Sequence, residues 1–205
     1  MVDRRNVPIA VTAALAAACV VLYPAFPVKL LMVAAVLVPL ERRFPLRRQR
    51  PLRRGWMTDV AHTLVNELIV ATALIAVLAG ARPVFGSGLV AAADQPGWLQ
   101  VVEALALVEV VSYWAHRAQH SIPVLWHFHA LHHSTRELDW LSTGRNHPLM
   151  KCLSHSAYVI PLAMLGYSVE TLGIAGTIYA AINFAEHTNA RVRLPVIRWL
   201  VPNPE

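Results

Sequence analysis

Five stretches of this chain, residues 7–26, 57–80, 98–115, 149–166 and 168–185, are each apolar over 18 residues or more, and residues 28–40 form a shorter, proline-bounded sixth. A helix needs about 20 apolar residues to span the hydrocarbon core of a bilayer. Within lipid every backbone N–H and C=O must be satisfied by the protein itself, so only helices and closed barrels span it. The sequence has no strand-period segment, internal repeat or low-complexity tract. The expected fold is therefore all-α, an integral membrane bundle of about four to six spanning helices. Residues 28–40 read as a tilted second span or the return leg of a hairpin. Residues 149–166 and 168–185 read as a tight hairpin turning at Gly166-Tyr167-Ser168.

Composition agrees: 56% of residues are hydrophobic and 15% charged, against about 45–50% and about 25% in soluble domains. Arg4 and Arg5 precede the first run as in a signal peptide, but that run leads into another apolar segment, which predicts a retained anchor. Cys19 and Cys152 lie in apolar runs without a CxxC pattern, so they read as small buried side chains.

The net charge of +6 is concentrated: seven arginines fall between residues 42 and 54 without a carboxylate. Beside apolar segments, such a run marks a cytoplasmic loop facing lipid headgroups and argues against nucleic acid as a partner. With that loop inside, residues 57–80 lead out, the nearly neutral connector 81–97 lies outside, and residues 98–115 return. Residues 116–147 then emerge on the cytoplasmic side, and the following hairpin brings His187 to the same face. The spans also carry polar groups: Asp59, His62, Asn66 and Glu67 early in one, Glu103 and Glu109 in the next. An ionisable group at membrane depth is expensive and usually functional, which singles out Glu109. The group of Asp59, His62 and Asn66 reads either as a polar cluster at a helix end or as part of a polar cavity.

Seven of the ten histidines lie between His116 and His147. His116 and His120 are four apart, which stacks them on one helix face. His129, His132 and His133 repeat spacings of three and four, and adjacent residues diverge by about 100° on a helix. The predicted site is a cytoplasmic, histidine-rich metal centre with room for more than one ion. A closed structural zinc site takes four ligands, often with cysteine, whereas no cysteine joins these histidines. Haem needs one or two axial histidines. Iron accepts imidazoles with positions left open for dioxygen. No GxSxG elbow or HExxH base is present to support hydrolysis.

Two segments, Ser112-Tyr113-Trp114-Ala115-His116-Arg117-Ala118-Gln119-His120 and Leu125-Trp126-His127-Phe128-His129-Ala130-Leu131-His132-His133-Ser134, resemble the fatty acid hydroxylase/sterol desaturase superfamily. So do Arg145-Asn146-His147-Pro148, Phe184-Ala185-Glu186-His187-Thr188-Asn189 and the upstream Arg54-Gly55-Trp56-Met57-Thr58-Asp59. The resemblance implies a membrane hydroxylase or desaturase of a lipid, sterol, fatty acyl or related. It would use two non-haem iron ions, dioxygen as co-substrate and an electron donor of the cytochrome b5-like or ferredoxin-like kind. Carried over by position, the metal ligands are His116, His120, His129, His132, His133 and His187. His147, Glu109 and Asn189 would serve either as further ligands or as hydrogen-bond partners of the ligands, a role open also to Glu103, Glu137 and Asp139. His127 reads as a surface residue and His155 as a packed core histidine.

The same resemblance divides the chain into an N-terminal membrane hairpin with its basic loop, residues 1–52, and a hydroxylase-like domain, residues 53–205. The family's third histidine box would begin about where this chain stops, at Val201-Pro202-Asn203-Pro204-Glu205, so the chain reads as C-terminally truncated. A domain lacking that box is expected to be an impaired oxygenase. The alternative reading is a histidine-rich metal-binding membrane protein without catalysis, such as a degenerate pseudoenzyme.

Overall fold

The computed structural model describes residues 7–50, 52–85 and 94–191. Arg4 and Arg5, part of the 81–97 connector and residues 201–205 lie outside these. The described residues form seven α-helices: α1 (Val7–Leu22), α2 (Ala25–Arg43), α3 (Trp56–Phe85), α4 (Gly97–Ser121), α5 (Pro123–His129), α6 (Pro148–Met164) and α7 (Val169–Glu186). Two 3-10 turns, His132–Ser134 and Trp140–Gly144, lie between α5 and α6. The β-type pairing among the described residues is an isolated bridge between Pro45 and Ala190.

Two stretches, Trp56–Ala76 and Gly97–Ser121, are long and apolar enough to cross a membrane. A third qualifies if Ala10–Leu22 and Ala25–Arg43, bent by 113° at their junction, count as one broken span. The run expected as a single span over residues 7–26 thus ends at Leu22, and Phe26 already belongs to α2. Pro24 sits at the junction, where its ring and missing N–H oppose continuation of α1. The shorter run 28–40 is the body of α2. The predicted hairpin is present as α6 and α7, of 17 and 18 residues, a little short of the ~20 that spans hydrocarbon. Its turn is closed by Gly166 at φ +83°, a conformation without steric cost only for glycine. The Ser168 hydroxyl accepts the Thr171 N–H at 3.0 Å, starting α7.

By contact density the chain separates into two compact units, each discontinuous in sequence. One comprises Ile69–Ala130 and His147–Ala180. Its core is Ala104 and Val108 from α4, Tyr158 and Leu162 from α6, and Ala175 from α7. Helices gain little from hydrophobicity in lipid and depend on close packing through small residues. Ala104 and Ala175, 0% and 1% exposed, supply that closeness. Polar bonds staple the same helices: Gln119 to Ser154 at 2.8 Å, Tyr167 to Glu103 at 2.9 Å, and Thr171 to Gln100 at 3.0 Å. Glu103 is thereby a packing residue. The outward side of α4 keeps Val102, Val110 and Trp114 exposed, as a lipid-facing surface does.

The other unit comprises Met1–Leu68, Leu131–Asn146 and Ala181–Glu205, and its described residues bury an ion pair beside neutral polar and apolar side chains. Arg53 and Asp59 are both almost fully buried. The Arg53 guanidinium donates to the Asp59 carboxylate and, at 2.6 Å, to Asp139. Arg145 Nε donates to the second Asp59 oxygen at 2.5 Å. Burial alone would lower the Arg53 pKa, but its bonds to Asp139 and Asp59 hold it above its ordinary value. Glu41, at the end of α2, accepts the backbone N–H groups of Trp140 and Asn189, each at 2.8 Å, and the Thr188 hydroxyl at 2.9 Å. Carboxylates thus join three sequence-distant segments of this unit.

Candidate metal centre

The last two turns of α4 present His116 and His120 with Nε2 atoms 3.0 Å apart and ring centroids 4.7 Å apart. Ile122 is extended, and Pro123 starts α5 immediately after it, a position where proline's missing N–H costs nothing. The short α5 brings its last residue, His129, back to α4. The His129 ring lies 4.8 Å from that of His116 and 4.9 Å from that of His120. Ligating nitrogens of these three residues lie within 4.8 Å of one another. His129 is 3% exposed, while His116 and His120 are open to the surface. Trp126 covers one side, its ring 5.3 Å from His120.

A second histidine group belongs to the other unit. His132 and His133 sit in the 3-10 turn with ring centroids 5.1 Å apart, and His132 faces His187, from the end of α7, at 4.9 Å. The expected single helical turn through His129, His132 and His133 is not what forms: α5 ends at His129 and the chain tightens into 3-10 geometry. The ring planes of His132 and His133 stand 82° apart.

The hydrogen bonds of this group fix its chemistry. His132 Nδ1 lies 3.2 Å from the Arg145 carbonyl and His187 Nδ1 lies 2.8 Å from the Asn183 carbonyl. A carbonyl only accepts, so each Nδ1 carries the proton and each neutral ring offers a lone pair at Nε2. Those two Nε2 atoms are 3.0 Å apart. Two lone pairs so close repel unless a cation or a shared proton lies between them. Backbone carbonyls holding the far nitrogens are the usual support of metal-ligating imidazoles. The donor set fits a metal, and His116 with His120 repeats the spacing.

The remaining expected residues divide. Glu109 lies on the His116 face of α4 but two turns earlier, about 10 Å along the axis at 1.5 Å per residue, out of ligating reach. His147 caps α6, its Nδ1 accepting the Leu149 N–H at 3.3 Å, with its ring against Phe128. Asn189 uses its amide on the Arg47 backbone, accepting at 3.0 Å and donating at 2.7 Å. Both side chains thus have local backbone partners. Glu137 accepts from the Arg54 N–H, and Asp139 caps the Trp140–Gly144 turn and pairs with Arg53. His127 is exposed, and His155 is packed against Tyr158 with Nδ1 bonded to the Lys151 carbonyl. Sequence reasoning missed Glu41 and the tie between Asp59 and Arg145. Asn66 belongs to that same tie, donating to the carbonyls of Gly144 and Asn146 at 3.0 and 3.1 Å.

Comparison with known proteins adds an independent line. A curated relative, the Ornithine lipid hydroxylase OlsE of Rhizobium tropici, is 33% identical over 177 residues, covering 82% of this chain and 54% of its own length. The chain thus spans about half the length of that relative. No solved structure matches it. The Fatty acid hydroxylase family model matches residues 101–205, which hold both histidine groups. With more than half of its 205 residues matched, the chain belongs to the fatty acid hydroxylase family.

Proposed function

We propose that this chain is an integral membrane, non-haem di-iron lipid hydroxylase whose metal site faces the cytoplasm. The observation that carries the reading is the pair of facing Nε2 atoms at 3.0 Å, found once in each histidine group. His116, His120 and His129 would hold one ion, and His132 and His187 the other, with His133 completing either set. His129 and His132 are three residues apart, so their Cα atoms are separated by at most about 11 Å of extended chain.

Bound iron would supply the redox chemistry by which dioxygen oxidises an unactivated C–H bond. Hydroxylation converts R–H, dioxygen, two electrons and two protons into R–OH and water, so an electron donor of the cytochrome b5-like or ferredoxin-like kind is required. The chain's own residues fix imidazole tautomers through the Arg145 and Asn183 carbonyls, cover His120 with Trp126, and present an apolar outer face to lipid. The arginines of residues 42–54 support the cytoplasmic orientation.

The depth of the site narrows the substrate. Exposed Trp98 lies near one end of α4, with exposed Tyr113 and Trp114 near the other. Aromatic belts mark membrane interfaces, and these are separated by about 23 Å at 1.5 Å per residue. Counting instead a full hydrocarbon thickness of about 30 Å from Trp98 reaches Ala118, between His116 and His120. Either count sets the histidines at the boundary between hydrocarbon and headgroups, which favours a C–H bond in or beside the polar headgroup.

Ornithine lipid, named in the relative, is the first substrate to test, beside sterol and fatty acyl lipids. The test is iron content with oxygen-dependent product analysis by mass spectrometry, with electrons supplied. Two irons per chain and a hydroxylated headgroup fragment are expected. A chain that binds metal but oxidises none of these lipids would favour the non-catalytic alternative.

A further inference from the structure

The 3-10 turn holding His132 and His133 is closed by Ser134, which returns its N–H to the Leu131 carbonyl at 3.2 Å and its hydroxyl to the same oxygen at 2.7 Å. What holds the turn from outside is Arg145. Its carbonyl takes the His132 Nδ1 proton at 3.2 Å, and its Nη1 reaches the Ser134 hydroxyl at 3.4 Å. Arg145 is fixed in turn by Asp59, which is 0% exposed and whose second oxygen is occupied by Arg53. Arg145 Nη2 also reaches the Gly55 carbonyl, one residue before α3. We propose that Asp59 is a positioning residue for the metal centre: by gripping Arg145 it holds the carbonyl that sets the tautomer and direction of the His132 ring toward His187. This rests on the metal-centre reading for its purpose, but the His132 tautomer is a property of the protein without metal.

The reasoning is chemical. A ligating imidazole works as a directed lone pair only if its other nitrogen is anchored as a donor. His187 anchors on the carbonyl of Asn183, four residues earlier in α7. His132 has no helix to anchor to and reaches instead across 13 residues to Arg145. Two buried charges are costly unless fully paired, and a network of Arg53, Asp59, Asp139 and Arg145 is an expensive way to gain stability alone. It is an effective way to set one carbonyl, because the guanidinium fork fixes direction as well as distance.

The experiment compares the full chain with Asp59→Asn, and with Glu41→Gln as a control. Glu41 is a second carboxylate of the same unit, partly buried, whose bonds run to Trp140, Thr188 and Asn189 and to neither Arg145 nor a histidine. Nitrogen-15 histidine NMR on metal-free protein reads the His132 tautomer, and cobalt titration followed by its visible spectrum reads metal affinity. In the wild type His132 is protonated at Nδ1. In Asp59→Asn this becomes a mixture of tautomers, and cobalt affinity falls by about 10–100-fold, the usual cost of losing an outer support of a metal ligand. Glu41→Gln keeps both, whatever its effect on melting temperature. If Asp59→Asn does not fold, Arg145→Lys carries the same expectation, since it keeps charge and carbonyl but loses the fork. An unchanged tautomer and affinity in the folded variant, or equal losses in Glu41→Gln, overturns the inference. A wild type with the expected tautomer that takes up no cobalt overturns the metal-centre reading instead, and leaves Asp59 without a metal to serve.

Discussion

Gly144 offers a sharp test of how tightly the charged unit is registered. It ends the Trp140–Gly144 turn and precedes Arg145, and it packs on the buried Thr63 of α3. A Cβ added at Gly144 would stand 1.7 Å from Thr63 Oγ1, 2.9 Å from its Cβ and 3.2 Å from its Cα. Rotating the threonine relieves the first contact, but the other two involve atoms that move only with the α3 backbone. Overpacking of this kind costs about 1–3 kcal/mol. The Asn66 bond to the Gly144 carbonyl, 3.0 Å long, would be displaced as well, adding about 1 kcal/mol. Gly144→Ala should therefore cost about 2–4 kcal/mol, or roughly 4–16 °C in Tm at 2–4 °C per kcal/mol for a chain of this size. Circular dichroism melts in detergent are the assay, with Gly173→Ala in α7 as control. Nothing lies within 4 Å of a Cβ there, and the change favours helix by up to about 1 kcal/mol. Adding Thr63→Ala to Gly144→Ala removes the 1.7 Å contact and should recover part of the loss. A Gly144→Ala protein that melts with the wild type would show that the turn and α3 are not packed as described.

Arg53→Met removes one cation from the buried Asp59 and the partly buried Asp139, leaving Asp139 and half of Asp59 uncompensated; a loss of about 3–5 kcal/mol is expected in chemical denaturation, and a loss under 1 kcal/mol would refute the pairing. His187→Ala should halve the iron content while His116, His120 and His129 keep theirs, read by metal analysis; retention of two irons would separate His187 from the centre. Chelation should lower Tm and restored iron should raise it again, because a ligand that binds only the native state stabilises it. Identical melts with and without metal would argue that no ion is bound.

Much of the fold was legible because apolar run length is a one-dimensional signal. The all-helical class, the α6–α7 hairpin and its turn at Gly166 follow from it directly. The break between α1 and α2 was harder, since residues 7–26 are uninterrupted in hydropathy and only Pro24 marks the bend. The histidines with helical spacing inside an established helix, His116 and His120, were placed correctly in relation to each other. The turn carrying His132 and His133 is 3-10 rather than α-helical, a difference that spacing does not show, because the two turns share their first residues and differ only in where hydrogen bonds close. Candidates such as His147 and Asn189 stand beside the family's motifs in sequence. What they bond, a helix N-terminus and the Arg47 backbone, is decided by tertiary packing.

The carboxylates show the same limit most clearly. Read along the chain, Glu41 belongs to the end of an apolar helix, Asp59 to the start of another and Asp139 to a polar loop. In space Glu41 closes the backbone of Trp140 and Asn189, while Asp59 and Asp139 share Arg53. The histidines that need orienting lie in a segment with a single short turn of secondary structure, where local spacing cannot hold a ring in place. Their direction has to be imported from rigid helices by groups strong enough to survive burial, and charge-assisted hydrogen bonds are the strongest available without a covalent link. A histidine pattern shows where candidate ligands lie along a chain. A carboxylate such as Asp59, proposed to aim one of them, carries no spacing signature, because its partners come from whichever segment packs nearest.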